Sequence, residues 1–117
     1  DNLINNFRIN GSNLENIYAV IGPCISKESF EVKSDMINTS LEKDPNSEKF
    51  FSNNSNLDYF DLSAYLIDKI KIAGVSNISC LGEDTYSNPD RFFSHRYETN
   101  NKKTITGRMM NIIGLFK

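Results

Sequence analysis

Histidine is nearly absent from this chain of 117 residues, which holds only His95. Zinc takes three or four ligands from histidine, cysteine and carboxylates, and copper centres draw heavily on histidine. The count therefore argues against an unaided zinc site and rejects a self-contained multicopper centre. Cysteine is scarce too: Cys24 and Cys80 lie far apart with no CxxC spacing. A disulfide is conceivable on paper, but reduced, buried thiols are the expected state. No apolar run reaches the roughly 18 residues of a membrane-spanning helix, and no charged n-region with an apolar stretch opens the chain. A soluble, cytoplasmic protein with no membrane partner is expected. Charge of one sign is lacking as well. Thirteen basic against fifteen acidic side chains leave a net charge of -2, which argues against a nucleic-acid partner. P-loop, GxGxxG and HExxH patterns are missing. So is an initiator methionine: the chain opens at Asp1, within an apparent helix, and an upstream portion is expected.

What is present reads as a single globular unit, with 38% hydrophobic and 24% charged residues. Leu3, Ile4 and Phe7 give residues 2–9 helical spacing. Residues 17–21, Ile-Tyr-Ala-Val-Ile, are apolar at every position, which predicts a strand buried on both faces; Gly22-Pro23 ends it. A short helix is expected from Ser34 as N-cap, with Met36, Ile37 and Leu41 inward. Residues 43–56 are polar, contain Pro45 and read as a long loop pinned by Phe50-Phe51. The clearest element is a helix over 61–73. Asp61 is its N-cap, Leu62, Leu66, Ile70 and Ala73 share one side, and Gly74 stands at C′. A strand over 75–81, an irregular stretch over 82–103 and a final buried strand over 108–116 complete a mixed α/β chain.

Few groups are available for chemistry. Cys24, just after a strand and a Gly-Pro turn, sits where an exposed nucleophile would, with His95 as its sole candidate base. The competing reading, a small apolar packing residue, is preferred. The run Phe92-Phe93-Ser94-His95-Arg96 is the densest cluster. It suits either an anionic or heteroaromatic ligand gripped by imidazole and guanidinium, or a loop whose phenylalanines plug the core while His95 and Arg96 meet solvent. Thr106-Gly107-Arg108 reads as a surface turn, and Glu83 and Asp84 as ordinary loop residues.

Together these segments carry a resemblance. In order they are Ile21-Gly22-Pro23-Cys24-Ile25, Phe30-Glu31-Val32, Asp61-Leu62 opening a helix that ends at Gly74, Asp84-Thr85-Tyr86, Asp90 to Arg96 and Thr106-Gly107-Arg108. Across nearly the whole chain this resembles the C-terminal half of the YfiH-type laccase-domain family. The chain departs from that pattern where Asp84-Thr85 replaces a usual Cys-Thr, and where Ser26-Lys27 replaces a frequent Gly-Pro. Residues 97–103 also look like an insertion.

The resemblance implies an α/β (α+β) fold, part of a four-layer αββα sandwich with a mixed sheet, residues 1–117 being its C-terminal portion. It implies a purine nucleoside phosphorylase, acting on adenosine, inosine or guanosine with phosphate and deaminating adenosine. It also implies zinc, with copper as the alternative, held by two histidines and a cysteine of an N-terminal half that has no counterpart here. No metal ligand carries over. The motif positions that do carry over make His95 and Arg96 catalytic candidates, and Arg108 and Phe93 substrate-binding candidates. Three readings stay open: an enzyme portion inactive alone, a non-catalytic remnant or assembly partner, and an unrelated small α/β binding module. On the first two, the face of Ile17, Ala19 and Ile21, or the Ile112-Ile113 strand, is expected to be exposed. That face would meet an N-terminal half made as a separate polypeptide, or a second copy of the chain.

Overall fold

A computed structural model describes residues 2–102 and 107–114, the side chain of Asn2 excepted. The chain runs through α1 (Asn2–Ile9), a 3-10 turn (Leu14–Asn16), β1 (Tyr18–Ile21), β2 (Glu31–Val32) and α2 (Ser34–Lys43). A second 3-10 segment (Pro45–Phe50), β3 (Phe51–Asn54), β4 (Leu57–Phe60), α3 (Leu62–Ile72), β5 (Asn77–Cys80) and α4 (His95–Asn100) follow. Parallel and antiparallel pairing both occur, consistent with the mixed α/β (α+β) class expected. β1 pairs parallel with β5, Tyr18 opposite Asn77 and Ile21 opposite Cys80. β2, β4 and β3 form an antiparallel sheet in that order.

α3 is the helix whose residues most clearly announce it. The Asp61 carboxylate accepts the Ala64 N–H at 2.9 Å, filling a donor that the first turn leaves unpaired. At the other end Gly74 takes φ +98°. Its N–H donates to the Lys71 carbonyl and that of Val75 to Ile70, the paired bonds of a Schellman ending. A Cβ at Gly74 would stand 2.9 Å from Leu14 Cδ1, so backbone and packing both ask for glycine there.

Phe60, 4% exposed, centres the aromatic core. Its ring lies 4.7 Å from Phe51, 5.5 Å from Tyr65 and 6.1 Å from Phe30. Such offset and edge contacts suit the ring quadrupoles. They also correct the expected loop over 43–56. Phe50 and Phe51 do pin that segment, but they do so by making it a 3-10 turn and a strand. The hairpin closes through Ser55 and Asn56, at φ +52° and +64°, the two positive angles of a tight I′-type turn. Asparagine tolerates them, so residues that read as loop composition serve a two-residue turn.

Four further expectations need correction. β1 is not buried on both faces: Ile21 is buried, whereas Tyr18 is 70% and Val20 48% exposed. The exposed face is thus the opposite parity to the expected Ile17, Ala19 and Ile21, because α3 packs against the strands on that side. Residues 108–114 form no strand and are exposed, Ile112 at 84%; they lack a partner strand among the described residues, and 115–116 lie outside those. Within 82–103 a helix, α4, is present. Cys24 is half-buried but Cys80 is exposed, and both thiols are free. Among the described residues no helix is long and apolar enough to cross a membrane.

Phe60→Ala should lower the unfolding free energy by about 3 kcal/mol or more, seen as a lost or strongly shifted urea transition followed by circular dichroism. Leu57→Ala, exposed on the same strand, should shift it far less.

Candidate functional site

Beyond the C-terminal ends of β1 and β5 the two chain segments stay together. The Leu81 N–H donates to Ile21 O at 3.0 Å, Cys24 N–H to Glu83 O at 3.1 Å, and Thr85 N–H to Cys24 O at 3.0 Å. Clefts at the carboxyl ends of parallel strands are common ligand sites. One opens here, of about 310 Å³. Pro23, Cys24, Ile25 and Thr85 line it from the two paired segments, together with Phe93, Ser94, His95 and Arg96, and with Phe30 and Met109.

Ser94 is buried and caps α4, its Oγ accepting the Tyr97 N–H at 3.3 Å. His95 and Arg96 therefore open that helix. The Arg96 Nη1 donates to Glu31 O at 2.9 Å, and its guanidinium stands 5.7 Å from the Phe30 ring centre. These contacts hold the charge in place. On the far side of the same two residues lies a second, more polar cleft of about 460 Å³, bounded by Lys33, Asp35 and Met36 at the start of α2. His95 and Arg96 form the partition between the two.

Phe93 and Gly107 are fitted to each other, since a Cβ at Gly107 would overlap the Phe93 ring. The chain after the ring can approach only because that residue is glycine. Arg108 does not line the cleft, although its neighbour Met109 does; its Nη1 donates to Gly107 O at 2.9 Å. Thr106 lies outside the described residues. Of the sequence candidates, the fold thus gathers Phe93, His95 and Arg96 and leaves Arg108 beside them. Cys24 shares the cleft with His95. Burial, then the nearby Cys80, Asp84 and Asp61, push its thiol pKa up. A protonated thiol is a poor nucleophile, which favours the packing reading. Among the described residues no three His, Cys, Asp or Glu side chains converge as metal ligands.

Sequence reasoning passed over Asp84. Its carboxylate accepts from the N–H groups of Ser26 (3.1 Å) and Tyr86 (2.9 Å) and from the hydroxyls of Ser26, Ser29 and Ser87. Burial pushes its pKa up, but these bonds outweigh that and hold the carboxyl well below its ordinary 3.8. The Asp-x-Tyr-Ser spacing is a legible Asx-turn signal; the bonds to Ser26 and Ser29, more than fifty residues away, are not. Two of the positions that depart from the family pattern, Ser26 and Asp84, are thus hydrogen-bonded to each other.

The family described as multi-copper polyphenol oxidoreductase laccase matches residues 1–116. A purine nucleoside phosphorylase of Rickettsia conorii is 40% identical over 100 residues, 82% of this chain and 42% of that protein. One of Rickettsia prowazekii is 42% identical over 84 residues, covering 70% and 35%. The purine nucleoside phosphorylase YlmD of Bacillus subtilis is 34% identical over 110 residues, covering 90% and 37%. The chain spans about two fifths of the length of these curated relatives.

A depressed carboxyl stabilises the fold above its unfolded pKa and loses that contribution as pH falls through the folded value. Stability should therefore decline as pH drops below about 3.8. Asp84→Asn should be less stable at pH 7 by about 2 kcal/mol and show a flatter acid limb in melts taken along a pH series.

Proposed function

The chain belongs to the multi-copper polyphenol oxidoreductase laccase family, and from that premise we propose that it is the C-terminal, cleft-bearing part of a purine nucleoside phosphorylase. The single observation that carries the proposal is the gathering of Phe93, His95 and Arg96 about one cleft. The names of its relatives supply the substrate class, a purine nucleoside and phosphate. In phosphorolysis a phosphate oxygen bonds to the sugar C1′ as the bond from C1′ to the purine nitrogen breaks, and the departing base takes a proton. The ring of Phe93 and the side chain of Met109 suit the flat face of a purine. Arg96, already oriented by Glu31 and Phe30, suits the phosphate dianion. His95 suits proton delivery to the departing base. Arg108 lies one residue from the cleft wall, where its charge favours an anion entering. Adenosine deamination is the second activity this reading includes, and a nucleoside-and-phosphate chemistry fits the cytoplasm.

Zinc, or copper in its place, is part of the proposal only as a group held from outside these 117 residues. Cys24 and His95 are two donors where three are needed, so the described cleft does not fit a metal and no step is derived through one. The same incompleteness marks the surface. Parallel sheets are covered on both faces, yet β1 here presents Tyr18 and Val20 outward. We propose that an N-terminal half, contiguous or separate, covers that face; a second copy of the chain is the competing occupant.

Expressed alone, the chain should neither bind zinc stoichiometrically nor release hypoxanthine from inosine and phosphate; joined to an N-terminal metal-binding half it should do both. In the joined protein Arg96→Ala should lower kcat/KM by about 10²-fold, and unchanged phosphorolysis would remove Arg96 from the site. Sedimentation velocity should show the lone chain associating with rising concentration, and Tyr18→Ser/Val20→Ser should suppress that. A monomer at every concentration would sink the surface assignment.

A further inference from the structure

No cationic side chain is paired with Asp84 in the salt bridges of the described residues. Its charge is met instead by five hydrogen-bond donors drawn from two separate stretches of chain. Ser26 and Ser29 belong to the stretch that begins with the Cys24-Ile25 wall and ends at Phe30, over which Arg96 lies. Tyr86 and Ser87 belong to the stretch leading toward α4. Tyr86 then carries the connection onward. Its ring meets the ring of Tyr97 in α4 edge-on, 5.9 Å between centres and 72° apart. Its hydroxyl oxygen accepts from Asn100 Nδ2 at 3.2 Å, also in α4. A further bond, Asn88 Nδ2 to Asp84 O at 2.8 Å, closes the turn on itself.

We propose that Asp84 is the positioning residue of the cleft, its carboxylate setting the first turn of α4, and with it His95 and Arg96, against the 24–30 wall. The proposal rests on the reading of this cleft as the functional site. The physical reason is that all five donors point inward at one acceptor-only group. An asparagine has a single acceptor oxygen. Facing that oxygen to the two backbone N–H groups turns its NH₂ toward the three hydroxyls, of which at most two can reverse their roles and accept its two hydrogens, while the third loses its bond. The shape survives, but the bonds weaken to neutral ones. Asp84→Asn is therefore a loosening substitution that keeps the fold. Tyr86→Phe tests the onward connection by removing only the acceptor for Asn100.

The sole histidine of the chain, His95, makes the test direct, because its ring gives unambiguous signals in nitrogen-proton NMR spectra. Gly74→Ala serves as a stability control, since it strains the N-terminal approach to β5 while the cleft lies past that strand's C-terminal end. Asp84→Asn should displace and broaden the His95 ring signals. Tyr86→Phe should displace them in the same direction by less, and the double variant should match Asp84→Asn alone. Gly74→Ala should lower the melting temperature and leave the signals in place. Unmoved His95 signals in Asp84→Asn, or equal movement in Gly74→Ala, would overturn the proposal. Displaced signals in a protein that shows no phosphorolysis when joined to its metal-binding half would sink the functional reading and leave the positioning role standing. Active protein with unmoved signals would do the reverse.

Discussion

The parallel pairing of β1 with β5 is the constraint from which the rest of the site follows. Four residue pairs set the register from Tyr18-Asn77 to Ile21-Cys80, and the segments continue side by side as far as Cys24 and Asp84. The fifty-nine residues between Cys24 and Asp84 must be folded away for those positions to meet. That chain is the antiparallel sheet, with its aromatic core around Phe60, and α3, which returns the chain to the start of β5 in the crossover that parallel strands require. Once the register is set, the cleft residues Cys24 and Thr85 and the Asp84 cradle follow as neighbours on two adjacent backbones. The chemistry-bearing residues are carried by short segments that would have no fixed arrangement on their own.

Local signals in the sequence were sufficient where structure depends on nearby residues. Asp61 and Gly74 marked both ends of α3 because capping is a matter of a few consecutive backbone groups. Helix α1 was legible from the spacing of its apolar side chains. The signals failed where distant partners decide. The polar residues 52–56 gave no hint that Phe51 and Phe60 would pair as cross-strand neighbours. The apolar run at 17–21 could not say which of its two faces α3 would cover. His95 and Arg96 were visible as a dense cluster, but only the buried Ser94 cap shows why they begin a helix. Asp84 was the largest omission, since three of its five donors come from serines 26 and 29 and no local pattern links them to it.

The described core is thin. Ile21, Val32, Phe60 and Val75 are its buried apolar side chains among the described residues, while Tyr18, Val20, Ile112 and Ile113 remain open to solvent. A small buried interior gives a small hydrophobic contribution. The fold therefore leans on directional bonds, caps and the Asp84 cradle more than a domain with a deep core does. Membership of a family whose relatives are more than twice this length is consistent with that balance.

Arg96 is fastened to the carbonyl of Glu31, and Glu31 lies in a strand of only two residues, paired to β4 at Tyr59 and Asp58. Short ladders at the margin of a sheet open more often than long ones. One of the two contacts that hold the guanidinium thus depends on β2, in the antiparallel sheet, and the other on the Phe30 ring just before it. Local opening of that strand would leave the backbone of α4 intact and still free the cleft's positive charge from one of its two anchors.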